Sequence, residues 1–215
     1  MNGNARIRLE QPSDHQQVEN LTREAFYNVY RPGCVEHYLV RIMRDHPDFL
    51  RELAFVLELD GHIIGNIMYT RATLTGQDGG QKHIVTFWAC QHCAGLSTAG
   101  AYGAKLIRHS LLQAKALGYE AVVIIGSPAN YVGLGSKAAK NTTYAPRTAP
   151  SCRHAGSGAC APGAGRANLG IPRQPRDGDF EDEAQRYDDT PAAHGESAHT
   201  PSQEEFYILS QAYLD

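Results

Sequence analysis

The sequence predicts an α/β fold of the α+β kind, with a largely antiparallel central sheet flanked by helices and an irregular C-terminal region. Two helical stripes follow the first strand, and a meander of strands joined by tight turns comes next. A third helical stripe then leads into a short apolar strand. A chain of 215 residues has room for one such domain with additional segments.

The first predicted elements are a strand around residues 6–10 and a helix over about residues 14–29. The strand alternates apolar and charged residues, which is typical of a half-buried strand. Ser13 followed by Gln16 matches a capping box at the start of the helix. Apolar residues then recur at helical spacing, and an Arg-Pro-Gly run ends the pattern.

The next predicted elements are a second helix over about residues 35–44 and an antiparallel meander. The helix ends before Pro47, because the residue preceding a proline disfavours the helical conformation. Asp60-Gly61 is a strong two-residue hairpin pattern, and Gly79-Gly80 marks a further turn. These turns separate three predicted strands, over residues 53–59, 62–73 and 82–87.

A third helix and a buried strand complete the predicted domain. The helical stripe consists of Leu106, Ile107, Ser110, Leu111, Ala114 and Leu117. Gly118 suits the position just past a helix end, where a left-handed conformation is common. The run over residues 121–125 is wholly apolar, which is typical of a strand that is buried on both faces.

Two stretches of unusual composition set the predicted domain boundaries. Residues 83–104 contain no Asp, Glu, Lys or Arg, and residues 141–176 contain no Asp, Glu or Lys. The second stretch is rich in Gly, Ala and Pro, so it buries too little apolar surface to offset the entropy of ordering. We therefore predict a domain over residues 5–140, a disordered segment over 141–180, and a tail over 181–215 with a short strand or helix.

Charge and cysteine content exclude several functional classes. A formal net charge of −3 gives no general electrostatic reason to bind nucleic acid or an anionic membrane. No apolar run approaches the roughly 20 residues of a membrane span, and the first ten residues lack the apolar core of a signal peptide. Five cysteines, an odd number, favour reduced thiols. We therefore expect a cytoplasmic protein, either a monomer or a homodimer.

The turn Gly100-Ala101-Tyr102-Gly103 is the main candidate for a binding site. It lies between a predicted strand and the start of the third helix, where main-chain N–H groups lack partners and the helix dipole is positive. Small residues let a phosphate approach the main chain closely, so the turn is a candidate pyrophosphate cradle. The alternative is that these residues only satisfy the geometry of a strand–helix turn.

Several segments of residues 6–140 resemble the GNAT acetyltransferase superfamily, in particular one bacterial branch. The element order agrees, and so do the segments 20–26, 65–69 and 104–111. Residues 118–126, followed by Ser-Pro-Ala-Asn-Tyr, are also similar to the family. This resemblance implies acetyl transfer from acetyl-CoA to a primary amine of a small molecule or protein, by direct attack and without a metal.

The resemblance also implies the residues of the site. Tyr131 matches the general acid that protonates the departing thiolate, and Asn130 is placed to contact the pantetheine arm. The alternatives are that Tyr131 packs with its hydroxyl at the surface and that Asn130 caps a turn. The implied coenzyme-binding turn consists of Thr98, Ala99, Gly100, Ala101, Tyr102, Gly103 and Ala104.

The coenzyme motif departs from the family pattern, Q/R-x-x-G-x-G/A. Gly103 matches the last position, whereas Thr98 replaces Gln or Arg and Ala101 replaces the central Gly. If a methyl group at position 101 blocks a contact, coenzyme affinity falls. A catalytically inactive protein with this fold is therefore the main alternative.

The family-like sequence is also interrupted over residues 88–102 and 141–180. One hypothesis is a shifted reading frame over both windows, and the other is a divergent loop and a disordered tail. The coding DNA distinguishes them, because an alternative frame would restore an acidic, aliphatic segment.

Two further hypotheses concern other side chains. A zinc-binding module would use ligands from Cys90, Cys93, Cys152, His154 and Cys160. The spacing of the second cluster is atypical for zinc, so we favour no metal. Glu36 and His37 border the acceptor site in one interpretation and lie on a solvated helix face in the other, which we favour.

Overall fold

The computed structural model describes residues 4–29, 32–76, 78–88, 100–125, 142–144, 158–159, 167–170 and 179–188. Five strands and three helices form the main body, in the order strand, two helices, three strands, helix, strand. They are β1 (Ala5–Leu9), α1 (His15–Phe26), α2 (Glu36–Met43), β2 (Phe55–Leu59), β3 (His62–Gly76), β4 (Gln81–Trp88), α3 (Gly100–Ala116) and β5 (Val122–Ile125). Four short elements follow, β6 (Thr142–Tyr144), β7 (Gly158–Ala159), β8 (Ala167–Gly170) and α4 (Asp179–Asp188).

The strands form one mixed sheet in the order β1-β2-β3-β4-β5-β7, and β8 pairs with both β3 and β6. The pairs β1–β2, β2–β3 and β3–β4 are antiparallel, as the meander predicts. In contrast, β4 and β5 are parallel, with Val85 opposite Val122 and Phe87 opposite Ile124. Helix α3 connects these two parallel strands, which is the βαβ arrangement.

The sheet separates two apolar clusters. Between the sheet and α3 lie the buried residues Leu50, Leu53, Phe55, Leu57, Ile67, Tyr69, Val85, Phe87, Leu106, Ile107, Ala114 and Ile124. The opposite cluster, which includes residues of α1 and α2, contains Val18, Val40, Met43, Phe49, Ala54, Val56, Ile63 and Met68. Alternation along β3 explains the division, because Ile67 and Tyr69 belong to the first cluster and Met68 to the second.

The Asp60-Gly61 hairpin forms as predicted. Asp60 has φ of 50° and Gly61 has φ of 86°, so both central residues lie in the left-handed region that a two-residue turn of this type requires. Glu58 and Leu59 of β2 pair with Ile63 and His62 of β3 on either side of it.

The capping-box prediction at Ser13 and Gln16 is wrong. Pro12–Asp14 forms a 3₁₀ turn, and α1 begins after it at His15. The Asp14 carboxylate accepts the Gln11 main-chain N–H at 2.8 Å and is held by Arg8 at 2.5 Å. Asp14, and not Ser13, therefore makes the side-chain hydrogen bonds that fix the chain just before α1.

The end of α3 agrees with the prediction for Gly118, but the predicted apolar stripe extends past the last residue of the helix. Gly118 has φ of 87°, its N–H donates to the Lys115 carbonyl, and the Tyr119 N–H donates to the Ala114 carbonyl. This is a Schellman termination. Leu117, the last residue of the predicted stripe, is 51% exposed because α3 ends at Ala116.

Short elements lie in the region for which the sequence predicted disorder or a tail. The main chain of β8 pairs with residues 73–76 of β3, while β6 pairs with β8 and β7 with β5. Main-chain pairing with a sheet edge needs no large side chain, so short strands can form in a segment that is poor in apolar residues. Most of the predicted disordered segment over 141–180 lies outside the described residues, so its disorder stays a prediction. Helix α4 lies at the start of the predicted tail.

Candidate functional site

The candidate site is the N-terminal turn of α3, which lies at the carboxyl ends of two parallel strands. A crossover helix runs opposite to its strands, so its first residues lie close to the end of the strand that precedes it. Pairing between β4 and β5 ends at Phe87 and Ile124. In open α/β sheets, ligands bind in the crevice beyond such carboxyl ends.

Packing along α3 fixes this turn relative to the sheet. Leu106 and Ile107 are buried against the strands, and Tyr102 packs against the same cluster one turn earlier. The Tyr69 hydroxyl of β3 lies 2.8 Å from the Ser110 hydroxyl. Ser110 donates to the Ile107 carbonyl at 2.9 Å, so its oxygen accepts the Tyr69 proton. Burial raises the pKa of Tyr69, which keeps the phenol neutral and able to donate.

The electrostatics of the turn favour an anion. The first N–H groups of a helix lack an intrahelical acceptor, and in α3 they include those of Gly100, Ala101 and Tyr102. The first turn carries no acidic residue. With the positive end of the helix dipole, these N–H groups provide the environment that binds a phosphate.

The structure places part of the predicted coenzyme turn and leaves the rest outside the described residues. Gly100, Ala101, Tyr102, Gly103 and Ala104 all belong to the first five residues of α3. Gly103 is buried, while Tyr102 and Ala104 are half-buried. The candidates outside the described residues are Thr98, Ala99, Asn130, Tyr131, Cys90, Cys93, Cys152, His154 and Cys160. Within the described ranges, no group of three or more His, Cys, Asp or Glu residues is arranged to hold a metal ion.

The prediction that Glu36 and His37 lie on a solvated helix face is wrong for His37. His37 is only 2% exposed, because the Tyr187 ring of α4 stacks on it with the ring centroids 5.0 Å apart. Glu36 is half-buried, and its carboxylate accepts the Val35 N–H at 3.1 Å and the Cys34 thiol at 3.3 Å. Burial raises the pKa of that thiol, and the neighbouring Glu36 charge raises it further.

Sequence reasoning missed a buried ionic cluster on the α1–α2 side of the sheet. Arg44 lies between the carboxylates of Glu10, at 2.8 Å, and of Glu19. All three side chains are almost fully buried. Arg44 follows α2 directly, whereas Glu10 follows β1 and Glu19 lies within α1, so no local sequence pattern joins them.

Two further buried polar side chains lie on the strands. The Asn66 amide of β3 and the Thr86 hydroxyl of β4 are each 1% exposed and make no hydrogen bond with any of the described residues. Asn66 pairs with Val56, and Thr86 pairs with Thr70. Alternation with Met68 places both on the α1–α2 side of the sheet, opposite to α3.

Comparisons with known proteins give matches in structure alone. No protein-family model matches the chain, and no curated protein matches it in sequence. A GNAT family acetyltransferase from Brucella melitensis, solved in complex with acetyl-CoA, has a TM-score of 0.57 and 21% identity over 80% of this chain and 97% of its own. The GNAT family N-acetyltransferase YhbS from Escherichia coli, solved in complex with CoA, has a TM-score of 0.59 and 19% identity over 85% and 94%. None of the described helices is long and apolar enough to cross a membrane.

The two solved structures match most of this chain and nearly all of their own chains. This chain therefore has the fold of the GNAT N-acetyltransferases.

Proposed function

We propose that this protein is an N-acetyltransferase that moves the acetyl group of acetyl-CoA to a primary amine by direct attack. The observation that carries the proposal is the position of the first turn of α3 beyond the ends of β4 and β5, where helix geometry leaves its first N–H groups without an intrahelical acceptor and no acidic residue lies in the turn. Two solved proteins with a similar fold were crystallised with acetyl-CoA and with CoA. The proposed pyrophosphate site is residues 98–104, with Asn130 beside the pantetheine arm.

The proposed chemistry needs one proton acceptor and one proton donor. The acceptor ammonium first loses a proton to a Glu, a His or an ordered water, because only the neutral amine has a free electron pair. The amine nitrogen then attacks the thioester carbonyl, the C–S bond breaks, and the sulfur leaves as a thiolate. Tyr131 donates its phenolic proton to that sulfur, and the nitrogen loses its second proton, which restores the phenol through the solvent, so the products are an N-acetyl amine and CoA.

The first experiment is thermal unfolding with and without excess acetyl-CoA. A ligand at about 100 times its Kd stabilises the native state by about 2.7 kcal/mol, which raises the Tm of a protein this size by roughly 5–10 °C. An unchanged Tm at millimolar acetyl-CoA would support the inactive alternative, in which Ala101 closes the cradle. ATP, at the same concentration, tests whether the stabilisation requires more than a polyphosphate.

The second experiment assigns Tyr131. We expect Tyr131→Phe to lower kcat by about 10²-fold or more while the Kd for acetyl-CoA changes less than about 3-fold, because the ring remains and the proton is lost. Acetylation of a panel of primary amines, followed by release of free thiol, provides the readout. Identical kinetics of the two proteins would remove Tyr131 from the mechanism.

A further inference from the structure

Helix α4 is attached to α1 and α2 through Tyr187. The Tyr187 hydroxyl donates a hydrogen bond to the Glu19 carboxylate of α1, and its ring stacks on His37 of α2 at an interplanar angle of 27°. The Arg41 guanidinium lies 5.1 Å from the centroid of the same ring. One side chain of α4 thus contacts a carboxylate, an imidazole and a cation on two different helices.

A second attachment lies one helical turn earlier. The Tyr38 hydroxyl of α2 donates to the Glu183 carboxylate of α4 at 2.5 Å. Between the two attachments, Ala184 is fully buried. Glu183 and Tyr187 are four residues apart, so they lie on the same face of α4 and fasten it along α2.

The surface that α4 covers is polar, and one of its residues, Glu19, belongs to the buried ionic cluster. The Glu19 carboxylate also pairs with Arg44, which in turn pairs with Glu10. Burial raises the pKa of Tyr187, and its hydrogen bond to Glu19 raises it further, so the hydroxyl remains a neutral donor. Glu19 and His37 are both less than 5% exposed while α4 is in place.

We propose that α4 is a detachable strap, which shields His37 and Glu19 when it is docked and opens this face of α1 and α2 when it leaves. This sequence-distant helix is held at Tyr38 and Tyr187 by hydrogen bonds, a stacked ring and the Arg41 cation, and at the buried Ala184 by packing. None of these contacts belongs to the two sheet-packed apolar clusters, so α4 is separable from the sheet domain. This proposal for α4 does not depend on the proposed acetyl transfer.

The test is the rate at which diethyl pyrocarbonate modifies His37 in the full-length chain, measured by mass spectrometry. We expect His37 to react at least about 10-fold faster in Tyr187→Ala than in the wild type. His62 and His83 are exposed and provide internal standards whose rates stay constant. Asp182→Asn is the matched control, because Asp182 is an exposed residue of α4, and its His37 rate should equal that of the wild type.

A second variant covers the case in which Tyr187→Ala does not fold. Tyr38→Phe removes the hydrogen bond to Glu183 and leaves the Glu19–Arg44 pair in place, so we expect His37 to react about 2–5-fold faster. The proposal is overturned if His37 is as reactive as His62 in the wild type. It is equally overturned if the His37 rate is unchanged in every folded variant of Tyr187 and Tyr38.

Discussion

Two threonines that face each other across β3 and β4 differ in their hydrogen bonding. Thr70 and Thr86 are opposite in register and both are at most 1% exposed, yet among the described residues Thr86 has no hydrogen-bond partner, whereas Thr70 has a partner. A buried hydroxyl without a partner costs about 1–3 kcal/mol, whereas a bonded one contributes about 1 kcal/mol. The two positions therefore form a matched pair.

We expect Thr86→Val to raise the free energy of unfolding by about 1 kcal/mol, because a methyl group replaces an unpaired hydroxyl of similar volume. Thr70→Val should lower it by about 1 kcal/mol. Urea unfolding at pH 7 measures both. A loss of stability in Thr86→Val equal to that in Thr70→Val would contradict the account and indicate a partner, such as a buried water.

Asp14 makes stability depend on pH in the acid range. Its carboxylate accepts two hydrogen bonds from the Arg8 guanidinium, at 2.5 and 3.0 Å. The pKa of Asp14 therefore lies below its ordinary value of 3.8, chiefly because of the bond to Arg8, with the Gln11 N–H lowering it further. The unfolded chain then takes up this proton first as the pH falls, so the stabilisation is complete well above pH 4 and is lost below it.

Asp14→Asn should accordingly be less stable than the wild type at pH 7, by about 2 kcal/mol. The difference should shrink as the pH falls from about 5 to 3. Urea unfolding of both proteins at several pH values measures it. A difference that stays constant over this range would show that Asp14 acts through shape and not through its charge.

At the scale of elements, the hairpin between β2 and β3 gives a test of local conformation. An added Cβ at Gly61 meets no atom within 4 Å, so the cost of a substitution there is conformational alone. We expect Gly61→Ala to lower the free energy of unfolding by about 1 kcal/mol and Gly61→Asn by about half as much, since Asn tolerates positive φ. Equal losses for Ala and Asn in thermal unfolding would contradict this.

The elements with strong local patterns were predictable from the sequence. The hairpin at Asp60-Gly61 and the termination of α3 at Gly118 each depend on residues within one turn of chain. The apolar stripe of α3 was correct where the helix continues, at Leu106, Ile107, Ser110 and Ala114, and wrong at Leu117 beyond its end. The parallel pairing of β4 with β5 is a long-range contact that periodicity does not specify.

The candidate site was predictable in part, for the same reason. The position of Gly100 and Gly103 at the start of α3 follows from composition at a strand–helix turn. The burial of His37 does not, because Tyr187 lies 150 residues away in the chain. Likewise, Glu10, Glu19 and Arg44 meet only when β1, α1 and α2 have packed together.

At the scale of the whole molecule, the two faces of the sheet have different roles. One face holds α3 by apolar packing and one buried hydroxyl pair, which fixes the helix N-terminus beyond β4 and β5. The other face carries α1 and α2, with the ionic cluster and the unpaired Asn66 and Thr86. The proposed coenzyme site depends on the first face, and the proposed strap α4 lies beside the second.

The central claim is that the N-terminal turn of α3 binds the pyrophosphate of acetyl-CoA, and calorimetric titration of acetyl-CoA into three proteins tests it directly. Ala104→Glu and Gln113→Glu add the same charge to the same helix, at positions about 14 Å apart along its axis. We expect Ala104→Glu to raise the Kd about 10-fold or more, and Gln113→Glu to leave it within about 2-fold of the wild type. Equal affinities in all three proteins, or no binding by the wild type, would contradict the claim.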